Sequence, residues 1–191
     1  MSVKVKGAAL LSRRAYVREE FGGASWEKVL ETLADEDRRE LQTMVLTSSW
    51  HPFELNQRLD RAIVEILGGG SQEIFERIGR WSAKQNLGGP HKAFVMGKNA
   101  QRFLAASDRI YGYYYDTGHR TYEETGPTSG VITTLEAQTF SATDCLTVIG
   151  WYKEGLEMCG ATGVQINEET CRARGDDVCR YRLSWDEQGT S

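Results

Sequence analysis

The apolar spacing changes period near residue 115, and that change limits the folds open to the chain. Before it, apolar residues recur every three to four positions, as on helices that bury one face. Trp26, Val29, Leu30 and Leu33 make one such stripe, with Ser25 placed as its cap, although Lys28 stands where a capping box wants Glu or Gln. A second helical stretch over 35–48 carries Leu41, Met44 and Val45, and His51-Pro52 breaks it. A third, over 53–67, puts Leu55, Leu59, Ile63, Ile66 and Leu67 on one face, and Gly68-Gly69-Gly70 ends it. Ser71 can cap a fourth over 72–87, and a fifth covers 99–111.

Past that point the period falls to two. Residues 120–125 and 129–139 alternate as half-buried strands around a Gly126-Pro127 turn. Helical spacing returns over 142–159, and strands follow at 164–168 and 178–185, with a Gly-Asp turn between them. The order predicts an α+β fold: a helical N-terminal half packed on a four-stranded antiparallel sheet, with a long helix between two hairpins. No repeat or low-complexity linker divides it. The chain reads as one domain over 1–185, mainly helical over 1–115 and carrying the sheet and its helix over 119–185, with a tail at 186–191.

Composition narrows the function classes. With 191 residues, 40% apolar and 26% charged, the chain is long enough for one proper core. A net charge of -4 without a basic block argues against direct nucleic-acid binding. No apolar run approaches the roughly 20 residues of a membrane span, and the N-terminus lacks a signal-peptide core. The expectation is a cytoplasmic protein, where clustered cysteines point to metal or redox work before disulfides.

All four cysteines, Cys145, Cys159, Cys171 and Cys179, lie in the last quarter of the chain. Cys171 and Cys179 bracket the Gly-Asp turn, so on a hairpin they face each other, close enough for both thiolates to reach one ion. Glu168 lies near the end of the same strand and could supply an oxygen, while Cys145 starts the preceding helix, where the macrodipole favours a thiolate. Cys159 is fourteen residues further along that helix, about 21 Å away along its axis, and cannot share the ion. Spacing alone equally allows buried free thiols or a Cys171–Cys179 disulfide. A redox pair has less support, because no CxxC is present.

Residues 144–185, DCLTVIGWYKEGLEMCGATGVQINEETCRARGDDVCRYRLSW, resemble the 4-vinyl reductase domain, with its early Cys, its Glu-x-x-Cys, a short Gly-Asp turn and a Cys followed by an aromatic. In aromatic-sensing bacterial activators that contain this domain those positions bind zinc. The resemblance implies a zinc site at Cys145, Glu168, Cys171 and Cys179, closed and therefore structural. The opening stretch, VKGAALLSRRAYVREEFGGASWEKVLETL, is similar to the start of the H-NOX haem domain, of the same broad superfamily as the 4-vinyl reductase and TRAPP domains. The combination also resembles a set of myxobacterial paralogues of about this length with no assigned function.

Two departures limit what carries over. The Tyr-x-Ser-x-Arg motif that holds haem propionates is absent, and neither His51, His91 nor His119 sits as an obvious proximal ligand, so haem is not expected. The phenol sensors use a Trp upstream of the first zinc Cys, whereas Trp151 here lies downstream of Cys145, so phenol specificity is not implied.

Candidate pocket residues are Phe94, Met96, Phe103, Tyr111 and Tyr114; the run Tyr111, Tyr113, Tyr114, Tyr115 reads first as a helix end packed on the sheet and second as a ligand pocket or dimer surface. No triad and no carboxylate pair in an apolar setting suggests an enzyme. The resulting expectation is a ligand-sensing module: a structural zinc holds one wall of an apolar cavity for a small hydrophobic molecule, and a homodimer or a protein partner receives the signal. The alternative is a TRAPP-like scaffold without exchangeable ligand.

Overall fold

The structure, a computed structural model, describes residues 2–187. Strand β1 (Lys4–Lys6) leads into α1 (Gly7–Phe21), α2 (Gly23–Glu31) and α3 (Asp35–Gln42). Strand β2 (Trp50–Pro52) pairs antiparallel with β1, and α4 (Phe53–Ile66) and α5 (Ile74–Gly88) follow. The pair α6 (Ala100–Ala105) and α7 (Ser107–Tyr114) leads to the hairpin β3 (His119–Gly126) and β4 (Ser129–Leu135). Helix α8 (Ala142–Met158) then precedes β5 (Ala161–Thr170) and β6 (Cys179–Glu187).

The large sheet is antiparallel with strand order β3-β4-β6-β5, so the two hairpins join through their inner strands, with Ile132 opposite Tyr181. Helix α8 packs on this sheet on one side and on α5 on the other, which explains its burial on several faces. One apolar cluster fills the space between α8, α6 and the sheet, with Phe103, Ile132, Leu156 and Leu183 at its centre. A second holds the N-terminal helices together through Val17, Trp26, Leu59, Ile63 and Phe75. The expected α+β arrangement is therefore present.

Several boundaries differ from the sequence reading. Ser25 is not a cap: α2 begins at Gly23, behind Gly22 at φ 84, and the Ser25 hydroxyl donates instead to the Phe21 carbonyl. Only a glycine enters that left-handed conformation without steric cost, so the chain turns there. The stretch expected over 35–48 is helical only to Gln42. The fifth helix breaks at Ala106 into α6 and α7, with Asn99 capping α6 through the Arg102 N–H. The tail expected at 186–191 is strand at its first two residues, and 188–191 lie outside the described residues. Helix α1 shows no clean stripe in the sequence because the face it buries includes Arg13 beside Leu10 and Val17.

Candidate metal cluster and the adjoining cavity

Three of the four cysteines meet. The register of β5 on β6 pairs Thr170 with Arg180, and one step further it brings Cys171 opposite Cys179. A 3-10 turn over Arg172–Arg174 and Gly175 at φ 98 close the connection, and the Asp176 carboxylate accepts from the Cys171 N–H at 2.7 Å. Cys145 enters from the first turn of α8, behind the Ser141 cap. Its Sγ lies 3.5 Å from that of Cys171 and 3.9 Å from that of Cys179. Bonds of about 2.3 Å to a tetrahedral zinc place neighbouring sulfurs about 3.8 Å apart, so the spacing suits three thiolates on one ion. All three are buried free thiols.

The electrostatics agree with thiolate character on the hairpin. A hydrogen bond from the Cys145 thiol, aided by the Arg172 N–H at 3.3 Å from the sulfur, pulls Cys179 down to about 6. The same Cys145 thiol lowers Cys171, while Cys145, as the donor to both, is pushed up.

Glu168 lies beside the cluster but outside the set of sulfurs that lie within 4.8 Å of one another. One of its oxygens accepts from Arg174, and the other, Oε1, is buried with no hydrogen-bond partner among the described residues. Cys159 sits apart, packed in the core at the C-terminal end of α8, and burial raises its thiol to about 11.

Next to the cluster, between α1, α5, α7 and α8, is a cavity of about 50 Å³. Tyr111 and Tyr114 line it. The other pocket candidates do not: Phe103 is buried behind it, stacked on Trp151 with ring centroids 5.8 Å apart, Phe94 flanks His91, and Met96 is 70% exposed. The lining is not simply apolar, since Ile78, Val148 and Trp151 share it with Arg13, Arg120 and Asp144.

Those charges belong to a buried network that the sequence reading missed. Arg13 grips Asp60 with two hydrogen bonds, and Asp60 also accepts from Thr143 Oγ1 at 2.8 Å. Tyr115 Oη donates to both oxygens of Asp144 at 2.9 Å, and Arg13 Nη2 stands 3.9 Å from the same carboxylate. Burial pushes the Asp144 carboxyl up to about 6, with Arg13 opposing. One signal was available: Asn56 and Asp60 lie on the α4 face that also carries Phe53, Leu59 and Ile63, where a solvated charge would not be placed.

The fold is that of the H-NOX structures. The chain is similar to an H-NOX protein from S. oneidensis in the Fe(II)NO ligation state, with a TM-score of 0.73 at 14% identity over 95% of this chain and 99% of that one. An unliganded Fe(II) H-NOX mutant from K. algicida gives 0.73 at 11% identity over 96% and 98%. A structure that probes heme distortion in the H-NOX family gives 0.74 at 11% identity over 97% of both chains. At such identities the likeness establishes the fold alone. By sequence, residues 71–186 match the family described as "Protein of unknown function (DUF2378)", and the chain belongs to that family. The match spans α5 to β6 and so includes the cysteine cluster. No curated protein matches the chain in sequence.

The likeness to H-NOX structures weighs against the expectation that haem is absent, because the scaffold is the one on which heme distortion was probed. The cavity itself offers that group little. No imidazole, thiol or thioether is among its lining residues, which leaves only tyrosines of the axial-ligand types. His91 stands one ring behind the wall, packed on Tyr114 at 6.0 Å between centroids. A volume of about 50 Å³ compares with about 300–1,000 Å³ for pockets that enclose cofactor- or drug-sized ligands. In this arrangement the residues do not fit a haem.

Proposed function

We propose that the chain is a small-ligand-sensing domain whose cavity is held on one side by a structural zinc clamp. The observation that carries the reading is the convergence of Cys145, Cys171 and Cys179 next to Asp144, a residue of the cavity wall. Zinc would take the three thiolates, with the buried, unpartnered Glu168 Oε1 turning in as fourth ligand. That donor set resembles the 4-vinyl reductase pattern and leaves no open position, so the metal's role is to fix α8 against the β5–β6 hairpin. Buried free thiols suit a reducing, cytoplasmic setting. The domain would span 1–185, with Tyr111 and Tyr114 touching the ligand and a second copy or another protein receiving the signal.

The test uses protein purified without chelators. Metal analysis is expected to find about one zinc per chain, as a single tetrahedral site requires. Mass spectrometry after organic extraction is expected to find exchangeable small molecules. A metal-free protein whose stability ignores added zinc sinks the clamp. A constitutively held lipid sinks the sensor in favour of a scaffold, and a Soret band on titration with haemin would show that the cavity opens to haem.

A further inference from the structure

The cavity wall carries hydrogen-bond donors that have nothing to donate to. Arg120, at the start of β3, is buried at 7% exposure. Its Nε donates to Thr134 Oγ1 at 3.0 Å and its Nη1 to Tyr152 Oη at 3.3 Å. Among the described residues its Nη2 has no acceptor, and no carboxylate lies within salt-bridge distance of the guanidinium. The positive charge rests instead on the ring faces of Tyr111 and Tyr152, at 4.7 and 5.5 Å. Tyr152 Oη accepts from Arg120, but its own proton finds no acceptor among the described residues. Tyr114 Oη is buried with no hydrogen-bond partner among the described residues. Arg120, Tyr152 and Tyr114 all line the same cavity.

The chemistry of this set is one-sided. A buried guanidinium with no carboxylate of the described residues in salt-bridge contact, only the more distant charge of Asp144, and two idle phenol donors favour an acceptor-rich, negatively charged group, since an unpaired buried charge or donor is costly. The acidic group on the same wall does not meet that need, because Asp144 is already engaged by Tyr115 and faced by Arg13. Size narrows the class further. With about 10–15 Å³ per water-sized atom, a cavity of about 50 Å³ holds roughly three to five heavy atoms.

We propose that this cavity binds a small planar oxyanion, of the class of formate, acetate, bicarbonate or nitrate, on Arg120 with Tyr114 and Tyr152 as further donors. The guanidinium supplies the charge and a planar fork that matches such an anion. Ile78, Val148 and Trp151 exclude larger or more hydrated ions. The proposal rests on reading the cavity as the ligand site, and it replaces an apolar ligand with an anionic one.

The full chain would be titrated with formate, acetate, bicarbonate and nitrate against chloride at matched ionic strength, following thermal stability and the intrinsic tryptophan fluorescence, to which Trp151 of the cavity wall contributes, with acetamide and phenol as neutral probes. Saturable stabilisation by at least one oxyanion, absent with chloride and acetamide, is expected. Arg120→Met should weaken it at least tenfold. Because that variant removes a buried charge and can lose the fold, Tyr114→Phe is the second arm. It deletes only an unpartnered hydroxyl, so stability should hold or rise while anion affinity falls several-fold. If no oxyanion gives a saturable response, or if both variants bind as tightly as wild type, the proposal is overturned. Phenol binding without anion binding would overturn it while leaving the sensing role standing; binding of none of the probes would count against both.

Discussion

Gly79 of α5 and Gly150 of α8 meet backbone to backbone. A methyl group on Gly150 would run into the Glu76 carbonyl, and one on Gly79 into the Thr147 carbonyl, so each glycine receives the carbonyl three residues ahead of the other. This reciprocal contact brings α5 close enough to α8 to form the floor of the cavity, where Ile78 and Thr147 both line the wall.

Gly150→Ala is therefore expected to destabilise the protein despite alanine's better helix propensity. Overpacking costs about 1–3 kcal/mol, against about 0.5–1 kcal/mol gained from propensity. Gly112, inside α7 with open space around it, is the control: Gly112→Ala should stabilise by about 0.5–1 kcal/mol. Urea denaturation measures both, and equal effects at the two positions would contradict the close approach.

The Arg13–Asp60 pair predicts that losing one charge costs more than losing both. Both side chains are almost fully buried, at 2% and 1% exposure. Asp60→Asn leaves a buried guanidinium with only Asp144 nearby and should cost about 3–5 kcal/mol. Arg13→Met combined with Asp60→Leu should recover most of that loss, because it removes both charges. If the double variant is as unstable as the single one, the network contributes more than its charges.

Cysteine substitutions separate the cluster from the bystander. Cys171→Ser should lose zinc and melt earlier, whereas Cys159→Ser should keep its zinc content and lose only core packing. Glu168→Gln should retain zinc in dilute solution yet release it to a competing chelator sooner than wild type. Zinc loss in Cys159→Ser would mean the ligand set is wrong.

His91 gives a pH dependence with a definite sign. Its ring packs edge-on against Tyr113 at 4.6 Å, and burial lowers its pKa below the ordinary 6.5. The unfolded chain then binds the proton more readily than the folded one, so His91 contributes stability above pH 6.5 that is lost as pH falls through 6.5 towards the folded pKa. His91→Phe should flatten the stability profile on the acid side of neutrality, as thermal melts from pH 7 to 5 would measure. An unchanged slope would mean that burial does not bias its protonation.

The periodicity change near residue 115 made the α+β class and the strand pairs legible, because half-buried strands and amphipathic helices write their packing into alternation. The Cys171–Cys179 juxtaposition was legible for the same reason, through hairpin symmetry. The buried network was not. Arg13, Arg120 and Asp144 look like ordinary surface charges in a linear sequence, and only tertiary contacts with Asp60, Tyr115 and Tyr152 show them as interior groups. Ser25 misled because a serine ahead of an apolar stripe signals a cap, while Gly22 moved the true helix start three residues earlier.

Asp144 and Cys145 are consecutive, and successive helical side chains diverge by about 100°. The first looks into the cavity and the second into the sulfur cluster. A single rigid peptide unit, about 3.8 Å between Cα atoms, is all that separates the two compartments. Any tilt of α8 that moves its sulfur must also swing the carboxylate, so sulfur cluster and cavity share one hinge pin and neither can be redesigned alone.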